Sequence, residues 1–270
     1  MRGFVIAAGM GKRMRRLTAS TPKCMLEVGG RPLLHHTMEC LREIGCDEIA
    51  IIGGYAAARL DPQGAKVVLN DDFENNNILH SLMYARAELE GPAVVTYSDI
   101  WVEPEIFAQL GRTPGDIVLS VDHDWEAYYE ARSDHPVSQA ENVFYDDGGA
   151  KKIGKHLVPA DAPPLSCGEF LGLWRMSAEG TRAFAETFAK VDDRLAPEAP
   201  FQHAAQWRKA YITDIFEEMI DDGQRLDLSL HARGWAELDT EQDIERLPGI
   251  AKRQRLDTLM ARTANSGAGQ

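Results

Sequence analysis

The chain has 270 residues, 44% of them hydrophobic and 26% charged, with a formal net charge of −13. That length allows one large domain or two small ones, and the balance is that of a water-soluble globular protein. The acidic excess argues against a nucleic-acid surface, and no apolar run approaches the roughly 18 residues that cross a bilayer.

Residues 4–8 read as a short buried strand that runs straight into a glycine motif, which is not how a signal peptide continues. Residues 9–22 form a long irregular loop. Pro32 starts a helix with Leu34, Met38, Leu41 and Ile44 on one face, ended by Gly45. Strands follow at 48–52 and 66–69, then a helix at 78–89 stopped by Gly91-Pro92, a strand at 93–97, a short helix at 104–110 and a strand at 116–121. This alternation predicts a parallel sheet with helices on both faces. The pattern then changes. Residues 141–145 and 150–153, joined by Asp146-Asp147-Gly148-Gly149, predict a β-hairpin. A strand at 170–175 precedes a helix capped by Ser177, and 211–222 is amphipathic, with Ile212, Ile215, Phe216, Met219 and Ile220 on one face. Strands at 225–230 and 235–238 lead to Asp239-Thr240, which opens a last helix. The proline-rich run at 159–164 is read as a surface loop and 263–270 as a disordered tail. Cys24, Cys40, Cys46 and Cys167 form no CxxC pair, as expected of reduced thiols in a cytoplasm.

Seven basic residues (Arg2, Lys12, Arg13, Arg15, Arg16, Lys23, Arg31) and one acid (Glu27) fall within the first 31 positions. On an acidic chain, such a cluster threaded with glycine points to a small-anion site. In Ala7-Ala8-Gly9-Met10-Gly11-Lys12-Arg13 a strand empties into a loop whose backbone N–H groups can approach phosphate oxygens. Arginine spans two such oxygens, and lysine acts as a point charge. No GxxxxGK[ST] run is present, and Met14 stands where a dinucleotide fingerprint needs its third glycine.

Four further signals carry chemistry. Tyr97-Ser98-Asp99 ends a buried strand, at the edge where open α/β sheets bind ligands, and a carboxylate there can hold Mg²⁺. Glu237 and Asp239 are two apart on a strand and share a face, where they repel unless a cation is near; Asp239 also reads as a helix N-cap. Asn75-Asn76-Asn77 with Ser81 opens a helix, as capping residues or as polar groups for a ligand. Lys151-Lys152-Ile153-Gly154-Lys155 reads as an exposed basic strand.

Together Arg13, Pro22-Lys23 and Gly29-Gly30-Arg31-Pro32-Leu33-Leu34 resemble the signature of the sugar-nucleotide-type nucleotidyltransferases. The resemblance implies a Rossmann-like α/β fold with a mixed, mostly parallel sheet. It implies a triphosphate held by Gly9, Gly11, Arg13 and Lys23, which also stabilise charge as pyrophosphate leaves, in a nucleotide site that includes Ala7, Ala8, Lys12 and Ser98. It also implies Mg²⁺ on Asp99, Asp239 and Glu237, a base beside Asn76 and Ser81, and Lys152 towards the α-phosphate or the acceptor. The runs 76–82, 121–125 with Tyr129 and Arg132, 168–173 and 211–214 are similar to the phosphocholine and 2-aminoethylphosphonate cytidylyltransferases. A cationic head group is suited by aromatic faces and carboxylates, which Asp124, Trp125, Tyr129 and Glu169 supply. His123 departs from that pattern and leaves the head group open.

The expected protein is a cytoplasmic Mg²⁺-dependent cytidylyltransferase acting on CTP and a small phosphonate or phosphate, with no nucleic-acid or membrane partner. A homodimer is compatible with this reading. Residues 1–250 are expected to form one domain with an acceptor-binding insert at about 123–175, and 251–270 a helix end and tail. A sugar-1-phosphate nucleotidyltransferase and a non-catalytic nucleotide-binding module are the alternatives.

Overall fold

Strand β1 (Arg2–Ala7) is buried on both faces, as expected of a central parallel strand. After it come β2 (Glu27–Val28), β3 (Arg31–Pro32), α1 (Leu33–Glu43), β4 (Glu48–Gly53), β5 (Lys66–Leu69), α2 (Ile78–Met83), β6 (Ala93–Tyr97), β7 (Ile100–Val102), α3 (Pro104–Arg112) and β8 (Ile117–Asp122). The second half adds β9 (Glu141–Asp146), β10 (Gly149–Lys155), β11 (Ser166–Met176), α4 (Ala178–Arg194), α5 (Ile212–Asp221), β12 (Asp227–His231) and β13 (Trp235–Glu237). The computed structural model describes residues 1–130, 132–157 and 165–244. The expected surface loop at 159–164 and tail at 263–270 lie outside the described residues. Among the described residues, no helix is long and apolar enough to cross a membrane.

The main sheet runs β10-β9-β11-β6-β1-β4-β5, with β8 against β11 and β12 against β8. The pairs β1–β4, β1–β6, β4–β5 and β8–β12 are parallel. The long β11 is antiparallel to β6, β8 and β9, so the sheet is mixed. Side-chain alternation splits β1 between two cores. Val5 and Ala7 face the side covered by Leu34 and Met38 of α1 and Phe107 of α3. Phe4 and Ile6 face the side covered by Leu82 of α2, Phe184 of α4 and Phe216 of α5.

Two local expectations are refined. The helix expected over 78–89 is α-helical only to Met83. Beyond it Ala85, Arg86 and Glu88 bond three residues back, which tightens the chain into successive turns. The loop at 9–22 contains a 3-10 turn, Lys12–Thr18, kinked at Arg15.

A separate antiparallel ribbon of β7 and β13 pairs Glu237 with Ile100. Just past it, Leu238 N–H donates to the Asp99 carbonyl at 2.8 Å. This ribbon brings Asp99, just past β6, and the acids Glu237 and Asp239 of the late segment to one place.

The register of β11 shifts between Phe170 and Trp174. Gly172 sits in the shift with φ 72°, and a Cβ there would lie 2.1 Å from Tyr97 Cδ2. Gly172→Ala combines a left-handed backbone with an overpacked ring and is expected to cost about 2–4 kcal/mol. Urea unfolding would show it; an unchanged midpoint would mean that the Tyr97 ring gives way freely.

Candidate active site

The site is built at the carboxyl ends of β1 and β6, where the sheet opens. After Ala7 the chain turns at Gly11, whose φ of 58° suits glycine. The Gly11 carbonyl accepts from the Thr18 hydroxyl at 2.8 Å and from Met14 N–H at 2.9 Å. These bonds fold the loop back over Lys23. Ala7, Ala8, Gly9, Gly11, Lys12 and Arg13 form one wall of a cavity of about 310 Å³, and Asn76, Ser81 and Ser98 lie on other walls.

Charges converge at the mouth of this cavity. Lys23 Nζ lies 2.6 Å from Asp99 Oδ2 and 3.0 Å from Asp239 Oδ1. Arg13 reaches Asp239 Oδ2 at 2.7 Å, as does His135 Nδ1. Burial alone would lower the Lys23 pKa, but Asp99, Asp239 and Glu237 outweigh it and raise it above the ordinary lysine value. Burial alone would raise that of Asp239, but the His135 hydrogen bond, Lys23 and Arg13 hold its carboxyl well below the usual carboxylate range. Asp239 is therefore an anion gripped by cations, and it does not cap the last helix with its side chain. Asp243 does that, accepting from the backbone N–H of Asp239 at 3.0 Å and of Thr240 at 2.8 Å.

Glu237 is held by Arg132, whose Nη2 lies 2.9 Å from its carboxylate and whose Nε lies 2.8 Å from Asp243. Asp99, Glu237 and Asp239 offer carboxylate oxygens only, the donors that a hard divalent cation takes. Three ligand atoms of His135, Glu237 and Asp239 lie within 4.8 Å of one another, so the geometry admits a cation once the local ammonium and guanidinium groups turn away. Cys24 also borders the cavity, but burial pushes its thiol up to about 12, which makes it a poor nucleophile.

A second cavity of about 160 Å³ adjoins the first and shares Arg13, Tyr97, Asp99 and Asp239 with it. Its lining includes two buried carboxyls, Glu141 and Glu169. Burial pushes Glu169 well above the usual carboxylate range; Tyr129, which hydrogen-bonds to it, pulls the other way. Burial likewise raises Glu141, although Lys155 at 3.6 Å and the Tyr97 hydroxyl at 3.2 Å oppose the shift. Lys155 lies over the Tyr211 ring, 4.9 Å from its centroid.

Residues 3–187, well over half of the chain, match the MobA-like NTP transferase domain. The chain belongs to that family. It is similar over 91% of its length to the CTP:phosphoglutamine cytidylyltransferase of Campylobacter jejuni, at 23% identity, covering 98% of that protein. A stretch of 122 residues, 42% of the chain, is 30% identical to the CMP-5'-(3-aminopropyl)phosphonate synthase of Streptomyces rubellomurinus; the chain spans 19% of that longer protein. The solved CTP:phosphocholine cytidylyltransferase of Streptococcus pneumoniae has a TM-score of 0.68 at 20% identity, covering 92% of this chain and 98% of that one. At that identity the likeness concerns the fold.

In this NTP transferase, the expected nucleotide-binding residues Ala7, Ala8, Gly9, Gly11, Lys12, Asn76, Ser81 and Ser98 all border the first cavity, as do Arg13, Lys23, Asp99 and Asp239. Glu237, Tyr129 and Glu169 border the second. Three expected residues border neither. Lys152 exerts its charge on Glu217 of α5 instead, because an odd step along a strand reverses the face; Lys155, three positions on, faces the cavity. Asp124 turns outward to Arg233 Nε at 2.7 Å. Trp125 is packed in the core with its ring edge-on to Tyr129. No site role is expected from the sequence for His135, Glu141, Lys155 or Tyr211, although all four border the second cavity. The run 151–155 carries lysines on both strand faces, and its sequence leaves open which face meets the site.

Proposed function

We propose that this nucleotidyltransferase joins CTP to a small phosphonate or phosphate monoester, such as 2-aminoethylphosphonate, a related phosphonate or phosphocholine. The products are the CMP-conjugate and pyrophosphate. The observation that carries the reading is the pair of cavities meeting at Arg13, Asp99 and Asp239. One is lined by a glycine loop suited to a triphosphate, and the other by carboxyls and tyrosine rings. An acceptor oxygen entering from the second cavity bonds to the α-phosphorus as the bond to the bridging oxygen of the β-phosphate breaks. Lys23 and Arg13 move from the carboxylates to the departing phosphate oxygens. Asp99, Asp239 and Glu237 are assigned to hold Mg²⁺, which when bound offsets phosphate charge. No covalent enzyme intermediate is needed, and positioning with charge stabilisation supplies the acceleration.

The segment 123–175 is taken as the acceptor-binding part, since it supplies Tyr129, His135, Glu141, Lys155 and Glu169 to the second cavity. A positive head group there would draw Glu141 and Glu169 into their charged forms, between tyrosine faces. The four cysteines are free thiols, in keeping with a cytoplasmic site of action.

The test is pyrophosphate release with Mg²⁺, crossing CTP, UTP, ATP and GTP against 2-aminoethylphosphonate, phosphocholine, 2-hydroxyethylphosphonate and glucose 1-phosphate. Turnover is expected with CTP and a phosphonate or phosphocholine. Turnover with the sugar phosphate alone would overturn the acceptor assignment. Within the same assay, Lys155→Ala is expected to raise the acceptor KM by about tenfold or more, the worth of one charge-assisted hydrogen bond. Lys152→Ala should leave it unchanged, and equal effects would reverse the assignment of the two lysines.

A further inference from the structure

Behind the wall of the first cavity lies a side chain that borders neither cavity. Asn70 follows β5, is 1% exposed, and its N–H donates to the Gly53 carbonyl at 2.8 Å. Its carboxamide is fully committed. Oδ1 accepts from the backbone N–H of Asp72 at 3.1 Å and from Asn76 Nδ2 at 3.1 Å. Nδ2 donates to Asn76 Oδ1 at 2.9 Å and to Ser81 Oγ at 2.9 Å. The Asp72 contact fixes which end is oxygen, because a backbone N–H can only donate.

That orientation propagates. Asn76 must turn its own oxygen to Asn70 Nδ2 and one of its N–H groups to Asn70 Oδ1. Its oxygen also takes a long contact from the Ser81 hydroxyl at 3.3 Å, and among the described residues no bond engages its second N–H. Ser81 receives the Asn70 N–H on a lone pair, and its own proton lies towards Asn76 Oδ1, a long contact that an acceptor in the cavity can take over. Asn76 and Ser81 both border the cavity, and once the Ser81 hydroxyl turns from Asn76 to a ligand the pair offers one N–H and one O–H donor.

Two neighbouring donors suit a base edge with two neighbouring acceptors. Cytosine has one, in its ring N3 and its O2. Uracil carries a hydrogen on N3 and adenine sets an amino group beside its N1, whereas guanine has such a pair only at O6 and N7, on its larger purine frame. We propose that Asn70 is a positioning residue that sets the hydrogen-bond polarity of Asn76 and Ser81 and thereby makes the site select cytosine over uracil. This rests on the CTP reading above and adds the residue that enforces it.

Asn70→Asp is isosteric and keeps the bonds from Asp72 and Asn76 Nδ2, but it has no N–H. The Ser81 proton then turns to the new carboxylate, and the wall gains acceptors that meet the N3–H of uracil. The ratio of kcat/KM for CTP over UTP is expected to fall about tenfold or more, with the acceptor KM unchanged. A merely structural role would lower both nucleotides together and leave the ratio alone. If Asn70→Asp does not accumulate, Asn70→Ala reads the same ratio, since Ser81 is then free to turn. Ser81→Ala should lower the ratio too, and the Asn70→Asp, Ser81→Ala pair should go no lower than the lower single variant. An unchanged ratio in the Asn70 variants, with wild type selecting CTP, would overturn the inference. A wild type that takes UTP as readily as CTP would instead overturn the base assignment on which it rests.

Discussion

Lys23→Ala is expected to lower turnover about 100-fold or more, the scale for losing a group that stabilises charge in the transition state. Among the described residues, Lys23 is the one side chain that touches both Asp99 and Asp239, and it does so from the first cavity. Its ammonium is therefore placed to pass from carboxylates to phosphates as pyrophosphate forms. Arg13→Ala should produce a loss of similar size from the other side of Asp239. Pre-steady-state measurement of pyrophosphate release checks both; near-normal turnover in each would remove the proposed mechanism. A second readout needs no substrate. Without Lys23, two carboxylates face each other with less counter-charge, so added Mg²⁺ should raise the unfolding temperature of Lys23→Ala more than that of the wild type. Chelation should reverse that gain.

Arg132→Met should show the largest loss of stability, about 3–5 kcal/mol. The Arg132 and Asp243 side chains are both 0% exposed, so removing the guanidinium leaves a buried carboxylate without its ion partner. The guanidinium also lies over Tyr128 and Tyr129, 5.0 and 5.6 Å from the ring centroids. Asp243 in turn holds the backbone of Asp239 and Thr240, so the loss should reach the reacting centre. Urea unfolding measures the cost. Arg132→Met with Asp243→Asn should recover part of it, because the uncompensated charge is gone. A single variant as stable as the wild type would show that Arg132 does not hold this corner together.

Much of the site was legible because the signals are local. A strand that empties into Gly-x-Gly-x-Arg announces a phosphate loop, since glycine backbone freedom and clustered cations are properties of a few consecutive residues. The strands at 66–69 and 93–97 have the bounds expected from their apolar runs. Asp99, Glu237 and Asp239 could be picked out as candidates because acids past a buried strand, or two apart in a predicted one, repel unless a cation is near; β13 itself ends at Glu237, and Asp239 lies just beyond it. Lys152, which borders neither cavity, could not be told from Lys155, which does, because the hydrophobic pattern of so short a strand leaves its facing undecided.

Distant partners were not legible in this way. Lys23 and Asp239 are 216 residues apart, and nothing in either neighbourhood encodes the other. The pairing of β7 with β13 and the antiparallel run of β11 set which carboxylates meet which cations. The roles of His135, Glu141 and Asn70 follow from that assembly alone. Backbone preference and hydrophobic periodicity act over one element and can be read from neighbours in the chain. Side-chain contacts between elements depend on how sheets and helices pack, and packing is a property of the whole chain at once.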